Sequence, residues 1–269
     1  WLPSANFKYE LDRTKVLRFA AARTMARPDF SALGGSITAD DITLTGNGGN
    51  PNLKPIVSDN FDATFEWYYQ PRALLSAGLF HMNLENYVAF GTYQTQLLNI
   101  RDNQFRTYTI SAPVNSKGRV SGFELAWQQA FANGFGGAVN YTYADAEEKR
   151  SCPSDPAPFT PCITDLVGAS KNTYNLVGYY EGHGFGARLA YTYRSAFFVG
   201  LDRSSPQYQD DTGVLSMSLS YAVNKNFAIT FDALNLNDPI LKYYGYNEDQ
   251  PRAFYTNGRQ YYFGLRMKL

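Results

Sequence analysis

The residues with the clearest binding chemistry lie in the last long connection of the chain. Residues 241–250 mix tyrosines with amide and carboxylate side chains, and residues 91–108 carry a similar mixture. Aromatic faces combined with fixed hydrogen-bond partners suit a sugar ring. The same composition is typical of tyrosines at a membrane interface or between packed loops. The candidate ligand-binding residues are Tyr243, Tyr244, Tyr246, Asn247, Asp249, Tyr93 and Arg101.

No group of residues has the spacing of a catalytic, metal or phosphate site. The segment from Gly118 to Gly122 lacks the spacing of a nucleophile elbow, and the two histidines, His81 and His183, are isolated. Lys plus Arg number 24 and Asp plus Glu number 24, so the zero net charge predicts no nucleic-acid partner. We therefore expect no enzyme activity, no metal site and no cofactor.

The two cysteines, Cys152 and Cys162, flank one proline-rich segment. Because the prolines hold the ends of this segment close, we predict a disulfide, which favours an oxidising compartment. The alternative is a pair of free thiols in a flexible loop.

Period-2 alternation of apolar and polar residues recurs along the chain and predicts an all-β protein. The alternation is irregular in two places. Arg18 and Arg23 fall on opposite faces of one strand, and the pattern slips after Leu79, which predicts a bulge there. Eleven strands are predicted, at residues 5–11, 16–27, 57–69, 73–87, 117–131, 135–147, 171–182, 185–198, 213–223, 227–237 and 257–269.

Short turns alternate strictly with long connections between these strands. The long connections, at 28–56, 88–116, 148–170, 199–212 and 238–256, are expected to be loops at one end of the sheet. A sandwich has no reason for this arrangement, whereas an outer-membrane barrel has short periplasmic turns and long extracellular loops. The sequence therefore predicts an antiparallel transmembrane β-barrel segment, with its apolar faces toward lipid.

Eleven strands cannot close an antiparallel barrel, because the first and last strands run in the same direction. We therefore expect this chain to be part of a barrel, with an odd number of strands contributed from elsewhere.

Several segments resemble the C-terminal half of TonB-dependent outer-membrane receptors. The most specific match is Asn50-Pro-Asn-Leu-Lys-Pro55 followed by Asn60, Glu66 and Trp67. Further matches are Leu2-Pro3-Ser4, Ala26-Arg27-Pro28, Gly122-Phe123-Glu124-Leu125, Asn235-Leu236-Asn237-Asp238 and Gly258-Arg259-Gln260-Tyr261. The segment Ala187–Ser195 resembles the Caulobacter and Xanthomonas type of this family. Leu269 departs from the aromatic residue with which the family usually ends.

The resemblance implies that residues 1–269 are half of a 22-stranded barrel in the outer membrane of a Gram-negative bacterium. The plug domain, the N-terminal strands and the TonB-contacting segment are expected to be absent. The implied partners are outer-membrane lipid, the plug, the remaining strands, a small solute and, indirectly, the TonB complex. Four residues are expected to face the lumen, where they contact the plug or hydrate the wall: Glu66, Glu124, Arg188 and Arg194.

The expected function is high-affinity uptake of a scarce solute. The subgroup resemblance favours an oligosaccharide, and a siderophore is the second solute class. The alternatives are a passive porin-like channel and a soluble carbohydrate-binding β-protein.

Overall fold

A computed structural model describes residues 1–149, 162–202 and 205–267. These residues contain strands and no helix, and hence no helix that is long and apolar enough to span a membrane. In chain order the strands are β1 (Ser4–Glu10), β2 (Lys15–Ala26), β3 (Ile37–Asp40), β4 (Thr45–Gly48), β5 (Ile56–Gln70), β6 (Ala73–Asn99), β7 (Gln104–Ala130), β8 (Phe135–Glu148), β9 (Asn172–Gly182), β10 (Phe185–Arg194), β11 (Phe197–Asp202), β12 (Ser205–Gln209), β13 (Thr212–Ala222), β14 (Phe227–Leu234), β15 (Leu241–Gly245), β16 (Pro251–Tyr255) and β17 (Gln260–Met267).

Eleven strands form one continuous antiparallel path, in the order β1-β2-β5-β6-β7-β8-β9-β10-β13-β14-β17. The predicted number of strands is therefore confirmed. Within the described residues the sheet is open, with β1 and β17 at its two edges.

Short turns join neighbouring strands at one end of this sheet. The turn between β9 and β10 consists of His183 and Gly184, whose φ angles are 53° and 75°. Two consecutive residues with positive φ define the type I′ turn, which matches the twist of a hairpin.

The pairing register gives the sheet one apolar face and one polar face, because directly paired residues point to the same side. One apolar row crosses four strands as Leu17, Phe65, Ala77 and Leu125. Leu79 and Phe263 on this face are 65% and 79% exposed, so the face needs an apolar environment. The opposite face carries rows such as Arg188, Ser218 and Asp232.

A row of polar residues ends the apolar face toward the long connections. It crosses five strands as Arg23, Asp59, Asn83, Arg119 and Glu147. Arg23 donates two hydrogen bonds of 2.6 Å to Asp59, and Arg119 donates one of 2.7 Å to Glu147. Arg23 is therefore placed on the apolar face without an unpaired charge.

The long connections contain more regular structure than the sequence predicts. Strand β6 continues to Asn99, and strand β7 begins at Gln104. Most of the expected loop 88–116 is therefore a hairpin. The β3–β4 hairpin packs against it, with β4 parallel to β7, and together they enclose the buried side chains of Tyr108 and Ile110. Strands β11, β12, β15 and β16 form a separate four-stranded sheet, so the expected loops at 199–212 and 238–256 are also wrong.

The bulge expected after Leu79 is also misplaced. Leu79 pairs regularly with Ala63 and Phe123, and the register shifts between Leu84 and Tyr87 instead. The pattern slips because two polar residues lie on the apolar face: Asn83 belongs to the polar row, and His81 is its neighbour on that face. Phe80, in turn, lies on the polar face.

Candidate functional site

Arg194, the last residue of β10, is held in one orientation on the polar face. Its Nε donates to Ser170 Oγ at 2.9 Å, and its Nη2 donates to the carbonyl oxygen of Gly168 at 3.0 Å. The centre of the guanidinium lies 3.7 Å from the ring centroid of Phe197, which is a close cation–π contact. Both hydrogen-bond partners are uncharged, so neither of them neutralises the positive charge of the guanidinium.

Phe197 links Arg194 to one face of the four-stranded sheet. Phe197 pairs with Gln209, and Gln209 pairs with Tyr243, so the three side chains share a face. The Tyr243 hydroxyl donates to Gln209 Oε1 at 3.0 Å, and the Tyr243 ring meets the Tyr255 ring edge-on at 5.5 Å. The structure therefore brings together two predicted residues, Arg194 and Tyr243, that the sequence separates by 49 positions.

Tyr244 lies on the other face of the same sheet. Its ring stacks on Tyr208 at 5.5 Å, and Tyr208 packs against Phe198. These rings border a cavity of about 340 Å³ that also includes Asp145 and Asp165. Burial, with Asp165 nearby, raises the pKa of Tyr208 to about 12, and the Tyr208 hydroxyl donates a hydrogen bond to Asp165 Oδ2 at 3.3 Å.

The other candidates of residues 241–250 form the turn between β15 and β16. Tyr246 has a φ of 50°, and Asn247 accepts a hydrogen bond from the Asp249 backbone nitrogen at 3.1 Å. Asn247 and Asp249 are exposed in this turn, and no described hydrogen bond joins either of them to Tyr243 or Gln209.

The two candidates of residues 91–108 lie far apart. The Tyr93 ring packs against the cluster formed by Tyr108 and Ile110, and its hydroxyl donates to the Gly49 carbonyl oxygen at 3.1 Å. Arg101 is exposed in the turn between β6 and β7. The structure thus gives Tyr93 a packing role and leaves Arg101 at the tip of the hairpin.

All four residues predicted to face the lumen share the polar face, as the pairing register requires. Glu66 accepts two hydrogen bonds from Arg18, at 2.7 Å and 3.2 Å. Arg188 borders a cavity of about 350 Å³ with Tyr179, Glu181 and Ser218. Glu124 lies across from Thr142 on β8.

Sequence reasoning missed Phe197, Gln209 and Tyr255. The segment Gln207-Tyr208-Gln209 repeats the mixture of amide and aromatic side chains seen in residues 241–250. That composition is a signal for Gln209, whereas no spacing points to the other two residues. The predicted disulfide has one partner, Cys152, outside the described residues. Within the described part of the chain, no group of three or more metal-binding side chains occurs.

Comparison with known proteins identifies the family. The family model for "TonB dependent receptor-like, beta-barrel" matches residues 1–236. The chain therefore belongs to the TonB-dependent receptor family, within its β-barrel domain. Members of this family are transporters of the Gram-negative outer membrane rather than enzymes. No curated protein sequence matches the chain.

Solved structures share the fold at low sequence identity. The ferric-catecholate import receptor Fiu from E. coli is 18% identical with a TM-score of 0.66, over 98% of this chain and 34% of that one. A mutant of the ferric enterobactin receptor PfeA from Pseudomonas aeruginosa is 16% identical with a TM-score of 0.71, over 99% of this chain and 40% of that one. The copper transporter OprC is 14% identical with a TM-score of 0.65, over 98% of this chain and 39% of that one. The chain thus spans well under half the length of these receptors.

Proposed function

We propose that this chain is the C-terminal part of the barrel of a receptor that takes up a scarce solute across the outer membrane. The apolar face would contact lipid, and the polar face would line the lumen around a plug supplied by the rest of the protein. The solute would bind at the end with the long connections and move inward when the TonB complex acts on the plug. Family membership and the two-faced sheet support this proposal.

The solute class we favour is an oligosaccharide. The observation that carries this choice is the group formed by Tyr243, Gln209 and Tyr255 on one face of the small sheet, beside Arg194 and Phe197. Ring faces next to an oriented amide suit the apolar faces and hydroxyl groups of a sugar.

A siderophore is the second candidate, because Arg194 presents a positive charge that suits an anionic iron chelate. The solved receptors for iron chelates share only the fold with this chain, so their ligands do not decide between the two classes. The choice depends on the residues of the site.

We also propose that Glu66, Glu124 and Arg188 contact the plug. They lie on the polar face along the barrel wall, and Arg188 borders a cavity that a side chain of the plug would enter. An exposed ion pair alone would contribute little stability, so their role would be to position the plug.

Binding to the purified full-length receptor tests the choice of site. Calorimetric titration with a panel of oligosaccharides and a ferric tris-catecholate should give saturable binding to one class. Tyr243→Ala should weaken that binding, whereas Tyr244→Ala, a matched change on the opposite face of the same sheet, should leave it nearly unchanged. Equal losses in both variants would place the ligand elsewhere.

Conductance in a planar bilayer tests the passive alternative. A plugged receptor should give no steady ion current without added solute or energy. A constant open conductance of the full-length protein would favour the porin-like channel and contradict the proposal.

A further inference from the structure

Arg194 differs from the other oriented arginines of the structure in its partners. Arg18, Arg23, Arg106 and Arg119 each meet a carboxylate at 2.5–2.7 Å. Arg194 meets a hydroxyl, a carbonyl oxygen and an aromatic ring, and no carboxylate among the described residues. Its charge is therefore not neutralised by any described side chain.

The direct neighbours of Arg194 on the polar face do not supply a negative charge. It pairs with Thr173 on one side and with Thr212 on the other. The next charged residue on this face of β10 is Arg188, six residues and about 20 Å away along the strand. Arg194 is thus a cation that pairs with no described carboxylate, at the extracellular end of the proposed lumen.

The guanidinium is oriented but retains binding capacity. An arginine carries five N–H donors. The two hydrogen bonds to Ser170 and Gly168 use two of them, so three remain. Because the packed ring of Phe197 fixes the plane of the guanidinium, a ligand would lose little side-chain entropy in binding it.

We propose that Arg194 binds an anionic group of the transported solute and thereby selects acidic over neutral ligands. This inference rests on the proposed function of the chain as a solute receptor. The shared chemistry is a carboxylate or another anionic oxygen, from either an acidic oligosaccharide or an anionic iron chelate. Tyr243 and Gln209 would hold the neutral part of the same solute.

The test uses the full-length receptor and a matched pair of probes. One probe is an oligosaccharide of hexuronic acids, and the other is the same oligosaccharide with its carboxyl groups reduced to alcohols. The acidic probe should bind at least tenfold more tightly than the reduced one. Arg194→Gln should weaken binding of the acidic probe by about 10- to 100-fold and leave the reduced probe unaffected. A ferric tris-catecholate, titrated in parallel, distinguishes the second source of the anion.

Two further variants separate a specific anchor from general charge or misfolding. Arg252→Gln removes an exposed arginine of β16 in the same small sheet and should have little effect. Arg194→Lys keeps the charge but loses the planar fork, so it should recover only part of the affinity. Heat-shifted migration of each variant on a gel verifies that the barrel has folded.

The outcomes distinguish this inference from the proposed function. Saturable binding that is equal for both probes and unchanged in Arg194→Gln would overturn the role of Arg194 and leave the receptor function standing. Equal losses in Arg194→Gln and Arg252→Gln would also overturn it. Absence of binding for both oligosaccharides and the chelate would contradict the proposed solute classes, and the inference would fall with them.

Discussion

The polar face of the sheet carries charge in two different arrangements. The first wall consists of the main-sheet strands from β1 to β8, on the short-turn side of the irregularity at Leu84. Its polar face carries two cations and five carboxylates: Lys8, Arg18, Glu10, Asp62, Glu66, Glu124 and Glu148. The second wall consists of the main-sheet strands from β9 to β17. Its polar face carries three cations and two carboxylates: Arg188, Arg194, Arg266, Glu181 and Asp232.

The two walls also differ in how their charges are used. On the first wall, Lys8 meets Glu10 at 2.6 Å and Arg18 meets Glu66 at 2.7 Å, so its cations are neutralised within the chain. On the second wall, none of the three arginines forms an ion pair with another described residue. The cations of the first wall are therefore neutralised within the chain, whereas the cations of the second wall are left for something that enters the lumen. We assign this partner as the solute at Arg194 and the plug at Arg188.

Supplying the missing carboxylate should abolish this difference. Thr212 pairs directly with Arg194, so Thr212→Glu would place an acid beside the guanidinium. We expect binding of the acidic oligosaccharide to fall by at least about tenfold, because the ligand must displace an internal partner. Ser216→Glu, four residues further along the same face of β13, is the control and should change affinity far less. Equal losses by calorimetry in both variants would indicate a general effect of charge.

Removing the Tyr243 hydroxyl should show how much the uncharged pair of Tyr243 and Gln209 contributes to solute affinity. Tyr243→Phe deletes the hydrogen bond to Gln209 and keeps the ring. The expected loss of affinity is about 2- to 10-fold, as for one neutral hydrogen bond. Both the acidic and the reduced probe should lose affinity equally, since neither depends on charge at this position. A loss confined to the acidic probe would contradict this division of roles.

Breaking a pair on the first wall should have a smaller effect. Glu66→Gln leaves Arg18 without its carboxylate, yet Arg18 is 46% exposed and the pair is screened by water. We expect solute affinity to change by less than about twofold and the urea midpoint of unfolding to shift only slightly. A loss of solute binding as large as that in Arg194→Gln would show that the two walls do not differ as described.

The smallest expected effect is on the pH at which Tyr208 ionises beside Asp165. The pKa of Tyr208 is raised to about 12, so this residue should stabilise the fold below the ordinary tyrosine pKa and lose that contribution as pH rises toward 12. A difference absorbance titration of wild type against Tyr208→Phe would isolate its ionisation. Asp165→Asn should bring that ionisation to lower pH, because it removes a neighbouring negative charge. Titration of Tyr208 near pH 10 in the wild type would contradict the buried arrangement.

The spanning strands were predictable from the sequence because their two faces meet different environments. Phe61, Ala63 and Phe65 lie on one face of β5, and Asp62 and Thr64 lie on the other, so the sequence alternates with the two environments. Beyond the polar row, one face of the β6–β7 extension packs against the β3–β4 hairpin and the other is exposed. Thr, Gln and Asn side chains occur on both of these faces, so the sequence gives only a weak strand signal there.

The site was predictable only in part. The residue types of Arg194 and Tyr243 each predict a binding role, but their placement beside one sheet face depends on Phe197 and Gln209, which link the two distant segments. Sequence gives the period of each strand but not the register between strands, so it cannot show which side chains meet. The residue type of Tyr93 likewise predicts a ligand contact, and only the structure shows that its ring packs against Tyr108 and Ile110.

A structure of the full-length receptor bound to the acidic oligosaccharide would show whether Arg194 binds the anionic group of the solute. We expect a negatively charged oxygen of the solute at about 2.7–2.9 Å from the guanidinium of Arg194. In the free receptor, we expect no carboxylate of the receptor at that position. A carboxylate of the receptor itself, bonded to Arg194 both with and without the solute, would contradict both expectations.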